Sequence, residues 1–133
     1  MISLAGKAAL ITGGSRGIGA ASVRAFAQAG ADVVFNYNRN RKAAARLEQE
    51  ARKHGTRVES LKADLGRMDG AKNLVDFARD RLGRLDILVA NAGIWNVEDL
   101  PIQKMSEREW DRMIRVNLKS VYAVIHYAVP HFL

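Results

Sequence analysis

Apolar residues in this chain fall into short unbroken runs separated by longer stretches of helical spacing. Residues 7–12 hold the run Ala8-Ala9-Leu10-Ile11, which predicts a first strand. Residues 17–29 carry Ile18, Val23 and Phe26 among alanines, a helical pattern that Gly30 ends. Ala31 to Tyr37 is a second run, expected of a strand covered on both faces. Residues 40–54 predict a helix rich in Ala, Arg and Glu, with Ala43, Ala44 and Leu47 as a narrow apolar stripe and Gly55 as its stop. A short third strand is predicted over 57–62 around Val58 and Leu61. Met68, Ala71, Leu74, Val75, Ala78 and Leu82 recur at helical spacing, so 68–82 predicts a helix ended by Gly83. Leu85 to Val89 predicts a fourth strand. A loop over 91–103 leads to Ser106, which with Glu109 predicts a capping box. A long helix then runs from about Glu107 to Ala128, and Pro130 opposes its continuation. Its apolar face is defined by Trp110, Met113, Ile114, Val121, Val124 and Ile125.

Strands separated by helices of this length call for right-handed crossovers and a parallel sheet. The fold class is therefore α/β, a doubly wound parallel sheet of the Rossmann type, truncated after the fourth strand and the long helix. The first strand lies centrally, with the second and third on one side and the fourth on the other. A ligand then sits at the carboxyl ends of the strands, at the switch between the first and the fourth. Four stretches meet at that edge: 13–19, 37–40, 63–65 and 90–93.

The glycine-rich stretch decides what the edge can hold. Glycine reaches positive φ and carries no Cβ. The backbone can turn sharply there and aim the free amides of a helix N-terminus at a phosphate. The common G-x-G-x-x-G spacing is absent, because Ser22 stands where its third glycine would be. The spacing is instead T-G-x-x-x-G-x-G, from Thr12, Gly13, Gly17 and Gly19. At the end of the second strand an acid would accept from a ribose 2′-hydroxyl and repel a 2′-phosphate. This chain offers Tyr37-Asn38-Arg39-Asn40, and Asp32 lies at the opposite end of that strand. Arg39 with Arg16 makes a charge-assisted clamp for a phosphate, which favours NADP(H) over NAD(H). Asp64 alone reads as a capping or turn residue. Asn91 is placed to tie the fourth strand to its neighbours. Asn117 falls on the apolar face of the long helix, where a buried amide has to find partners.

Composition narrows the classes of function. With 133 residues, 48% hydrophobic and 26% charged, the chain suits one domain with a single core. The lack of cysteine excludes a disulfide framework, a thiolate metal site and a cysteine nucleophile. His54, His126 and His131 show no ligand spacing, and no metal is expected. No apolar run approaches the ~18 residues of a spanning helix, and no charged region precedes an apolar one at the N-terminus. A cytoplasmic protein with no membrane partner is expected. The net charge of +7 attracts polyanions. Yet no aromatic residues interleave with the densest cations, from Arg39 to Arg57, so a solvated helix face is expected there and no nucleic-acid partner.

Read as Thr12-Gly13-Gly14-Ser15-Arg16-Gly17-Ile18-Gly19, the glycine turn resembles that of the short-chain dehydrogenase/reductase family. The likeness extends over essentially the whole chain, with 3-oxoacyl-reductase-like or pteridine- and glucose-dehydrogenase-like members nearest in pattern. It implies that Gly13, Ser15, Arg16, Gly17, Ile18 and Gly19 cradle a pyrophosphate. Arg16, Asn38, Arg39 and Asn40 would hold the 2′-phosphate of NADP(H), which members with Tyr-x-Arg and a small polar residue here tend to use. Asp64 and Leu65 would hold adenine. Ala90-Asn91-Ala92-Gly93 stands where the family has Asn-Asn-Ala-Gly; it departs at Ala90, and Asn91, Ala92 and Gly93 would line the ribose. Val116-Asn117 matches the Asn of the family's Asn-Ser-Tyr-Lys catalytic set. The match implies a locally bent helix and a water held in a proton relay. The residue reading leaves open a structural Asn that bonds the neighbouring loop.

The resemblance reaches only the front portion of the family's domain. Its Ser has no counterpart, and no Tyr-x-x-x-Lys exists: Arg41 follows Tyr37 at that spacing, His126 follows Tyr122, and His131 follows Tyr127. In the family that Tyr donates the proton to the carbonyl oxygen and the Lys lowers its pKa. The expectation is a dinucleotide-binding domain, 1–133, from a longer reductase that turns a ketone or 3-oxoacyl group into an alcohol. Alone it is expected to be inactive, with the fourth strand an exposed edge. The apolar segment Val121 to Leu133 is expected to pack on the rest of the domain or on a partner subunit, in a homo-oligomer. A non-catalytic dinucleotide-binding or interaction module is the rival expectation. Ile94, Trp95 and Asn96 are expected to border the site.

Overall fold

In the computed structural model, residues 2–95 and 99–133 are described; Asn96 falls outside them. Four strands, β1 (Ala8–Ile11), β2 (Asp32–Tyr37), β3 (Val58–Lys62) and β4 (Ile87–Val89), pair in parallel in the order β3-β2-β1-β4. The helices are α1 (Gly17–Gln28), α2 (Arg41–Arg52), α3 (Met68–Leu82), α4 (Glu107–Ile114) and α5 (Ser120–Ala128).

Successive residues of a strand face opposite sides of the sheet, and here both sides are covered. Ile11, Val33 and Phe35 pack with Val23 and Ala27 of α1 and Leu47 of α2. Leu10 and Val34 pack on the other side with Leu74 and Val75 of α3 and Ala123 and Val124 of α5. This is the doubly wound arrangement that the apolar runs predict. β4 lies at the edge of the sheet and is only half-buried along its length.

Three features differ from expectation. β4 is shorter than 85–89: Asp86 precedes it and is tied to the start of β1, its carboxylate accepting from the Ala8 amide at 2.8 Å and its amide donating to the Ala8 carbonyl at 2.9 Å. The capping box is half formed. Ser106 Oγ accepts from the Glu109 amide at 3.1 Å, while the Glu109 carboxylate is drawn to Arg112 Nη1 at 3.2 Å.

The third difference is from the helical spacing alone: the long helix is interrupted by a π-helical turn over Arg115–Lys119, around Asn117, where the resemblance implies a local bend. A π turn inserts an extra residue and shifts the helical phase, so spacing arithmetic does not carry across it. The sheet side of α5 is occupied by Ala123, Val124 and Ala128. Trp110, Ile114 and Ile125, expected on the buried face, are exposed together with Leu118 and Tyr122. Ile114, Leu118, Tyr122 and Ile125 border an apolar groove of about 650 Å³ on the outer side of α4 and α5.

Candidate functional site

At the carboxyl edge of the sheet the four predicted stretches meet around a cleft of about 670 Å³. Every binding residue expected from the sequence borders it except Gly19. Gly19 lies behind the surface, where a Cβ would run into the Gly13 carbonyl and come within 2.7 Å of Asn91 Nδ2. It is the packing glycine that brings α1 against the end of β1.

The start of α1 is built to receive an anion. Gly17 has φ +57°, a left-handed turn that a side chain would strain. Arg16 occupies the N-cap, no side chain caps the helix, and its first turn contains no acid. The amides there remain free donors at the positive end of the helix dipole. By contrast, α2 is capped by Asn40 Oδ1, which accepts from the Ala43 amide at 3.0 Å. Asn40 therefore borders the cleft with its oxygen already engaged.

Two polar residues hold this edge together, and the strand reading passed over both. Asn36 is buried within the apolar run of β2. Its Oδ1 accepts from the Gly13 amide at 2.7 Å and its Nδ2 donates to the Ala63 carbonyl at 3.1 Å. Thr12 Oγ1, also buried, accepts from the amides of Asn91 and Ala92, each at 2.9 Å. Asn91 Nδ2 reaches back to the Thr12 carbonyl at 3.2 Å, the tie expected of it. The available signal for both was an amide and a hydroxyl set in otherwise apolar runs, where polar groups need partners.

Arg16 and Arg39 are exposed on the lip of the cleft. Neither takes part in an ion pair among the described residues. Asp64 is the acid of the lining, and its Oδ1 accepts from the Gly66 amide at 3.0 Å in a tight turn. Leu65 borders the cleft but is only 5% exposed, its side chain being mostly in the core. The sequence reading missed Arg112, Arg115 and Ser120, which with Val116 form the wall supplied by α4, the π turn and α5.

Asn117 sits in the π turn and is half-buried. Its Oδ1 accepts from the Ile94 amide at 2.8 Å. This is the loop contact that the residue reading left open. Among the described residues no group of His, Cys, Asp and Glu is arranged to hold a metal. No helix there is long and apolar enough to cross a membrane.

The sequence profile described as short chain dehydrogenase matches residues 7–133. The chain belongs to the short-chain dehydrogenase family. It is 39% identical over 130 residues to 3beta-hydroxysteroid dehydrogenase 2 of Eggerthella lenta, covering 98% of this chain and 49% of that protein. A short-chain dehydrogenase from Burkholderia cenocepacia, solved in complex with NADP, superposes with a TM-score of 0.91 at 35% identity, over 96% of this chain and 51% of that one. Carveol dehydrogenase from Mycobacterium avium, solved with NAD, gives 0.91 at 29% identity, over 99% and 51%. This short-chain dehydrogenase sequence thus spans about half the length of the relatives it matches. Both of these solved relatives hold a nicotinamide dinucleotide.

Proposed function

We propose that this chain binds NADP(H) in the cleft and forms the coenzyme-binding domain, 1–133, of a reductase that interconverts a ketone or 3-oxoacyl group and an alcohol. The observation that carries this reading is the charge at the end of β2. Arg39 and Arg16 stand on the lip of the cleft, and no acid follows β2 to repel a 2′-phosphate. The tight glycine turn supports it further, since a Cβ at Gly13 would meet Ala92 and one at Gly19 the Gly13 carbonyl, and either would displace the turn that opens α1.

When bound, the nicotinamide supplies or accepts a hydride. The residues of this chain bind and orient. The amides of Gly17, Ile18 and Gly19, with Ser15, hold the pyrophosphate. Arg16, Asn38, Arg39 and Asn40 take the 2′-phosphate. Asp64 and Leu65 border the adenine, and Asn91, Ala92 and Gly93 the ribose. Asn117 fixes the Ile94 loop and holds the water of the proton relay. The acid that protonates the carbonyl is not among these 133 residues, since no Tyr-x-x-x-Lys occurs in them. The protein acts in the cytoplasm on a small carbonyl or alcohol, without nucleic acid or membrane. It associates with itself through the exposed apolar side of α4 and α5.

Fluorescence titration of the full natural protein with NADPH and NADH tests the coenzyme choice. NADPH is expected to bind more tightly, and Arg39→Ala to reduce that preference by about tenfold, the scale of a charge-assisted contact. An unchanged preference in the variant removes the 2′-phosphate assignment. The second reading is a non-catalytic dinucleotide-binding or interaction module, for which the exposed apolar groove along α4 and α5 speaks. Coenzyme binding without turnover on any ketone or alcohol by the full natural protein decides for it.

A further inference from the structure

The wall of the cleft opposite the strands contains an arginine that the proposed contacts leave unused. Arg115 opens the π turn and borders the cleft beside Val116, facing the Asp64–Gly66 turn. Its side chain lies directly against Gly66. A Cβ built on Gly66 would stand 2.7 Å from Arg115 Cγ, 3.0 Å from Cδ and 3.2 Å from Nε. Gly66 is buried although it carries no side chain. None of the ion pairs among the described residues involves Arg115, whereas Arg112, one turn earlier, is paired with Glu109 at 3.2 Å.

Arg115 is thus an exposed side chain whose stem lies along a turn at the cleft. The turn in question also fixes an acceptor. The Gly66 amide holds one oxygen of Asp64 at 3.0 Å, and Asp64 borders the cleft. A guanidinium is planar and weakly hydrated, and its face stacks on aromatic rings, including nucleobases. A lysine ammonium has no such face.

We infer that Arg115 is a specificity-determining residue for the purine end of the dinucleotide. Its guanidinium face covers the base, while the Asp64 carboxylate receives the exocyclic amine at the base's edge. The inference rests on the reading of the cleft as the coenzyme site. It adds a stacking wall to that site, and the stem of that wall fits only because residue 66 is glycine. An arginine that instead reached a phosphate would add a charge-assisted contact that salt screens, so its loss would flatten the salt dependence of binding.

The test is NADPH affinity across salt concentrations for the full natural protein and for Arg115→Ala, Arg115→Lys and Gly66→Ala. Stacking predicts that Arg115→Ala and Arg115→Lys both weaken binding about tenfold, within the range for base stacking on a side chain, with the salt dependence of the wild type. Gly66→Ala is expected to weaken binding in the same direction, because its methyl group displaces the Arg115 stem. Gly66 has no positive φ, so alanine brings no backbone strain of its own. Wild-type affinity in Arg115→Ala or in Arg115→Lys overturns the inference, as does a shallower salt dependence in Arg115→Ala. Failure of the wild type to bind NADPH at any salt concentration is a different result: it removes the coenzyme site itself, and this inference with it.

Discussion

The Gly13 amide donates to Asn36 Oδ1 at 2.7 Å, and through this bond β2 sets the position of the glycine turn that follows β1. The other end of the same amide group reaches the Ala63 carbonyl beyond β3 at 3.1 Å. One buried side chain of β2 thus ties together two of the four stretches at the ligand edge, 13–19 and 63–65. Asn36→Ala leaves an amide and a carbonyl unpaired. The expected loss is about 2–4 kcal/mol of stability, from the cost of unsatisfied buried groups, together with weaker NADPH binding. Chemical denaturation and titration of the variant check this. A wild-type midpoint would show that water replaces the side chain without cost.

Gly93 and Asn117 are coupled by close approach. A Cβ on Gly93 would stand 2.7 Å from Asn117 Oδ1, the oxygen that accepts from Ile94. Gly93→Ala is expected to push this oxygen off the Ile94 amide. Asn117→Ala removes it outright. Each single change is expected to destabilise by roughly 1–2 kcal/mol, and the double variant by less than the sum, because both act on one bond. Additive losses would show the two residues to be independent.

Asp86 links stability to acid pH. The Arg84 guanidinium, at 2.6 Å, holds its carboxyl below the usual carboxylate range, and the Ala8 amide at 2.8 Å adds to the effect. Arg84 is 58% exposed, so solvent screens the ion pair and the amide bond to β1 matters relatively more. A carboxyl with a lowered folded pKa stabilises above its unfolded value near ~4 and ceases to do so as pH falls through the folded value. Asp86→Asn is expected to be less stable at pH 7 by about 1 kcal/mol, and the gap should close as pH is taken below about 4. Parallel stability curves for the two proteins would contradict this.

The outer side of α4 and α5 is open to direct test. Leu118 is 63% exposed and Tyr122 56% exposed in the apolar groove. Leu118→Asp places a charge in the middle of that face. If copies of the chain meet there, sedimentation should show the wild type associated and the variant shifted to a smaller species, with the sheet intact by circular dichroism. An unchanged sedimentation coefficient would place self-association elsewhere.

Most of the fold was legible because its signals are local. Unbroken runs such as Val33-Val34-Phe35 and the helical spacing of Leu74, Val75 and Ala78 give element type directly. Alternation of strand and helix then leaves few topologies. The ligand edge was legible for the same reason, since the glycine turn names the end of β1. What was not legible depends on contacts between distant segments. The roles of Asn36 and Thr12 exist only once β1, β2, β3 and β4 are side by side. The exposure of Trp110 and Ile114 followed from a π turn that no spacing rule anticipates, and Arg115 reached the cleft through the same turn.

The central claim is that the pyrophosphate of a nicotinamide dinucleotide rests on the amides that open α1. A crystal structure of the full natural protein with NADPH tests it most directly. The account predicts pyrophosphate oxygens within about 3 Å of the Gly17–Gly19 amides and the 2′-phosphate between Arg16 and Arg39. A pyrophosphate lying elsewhere, or a folded protein that takes up neither NADPH nor NADH at saturating concentration, would contradict it.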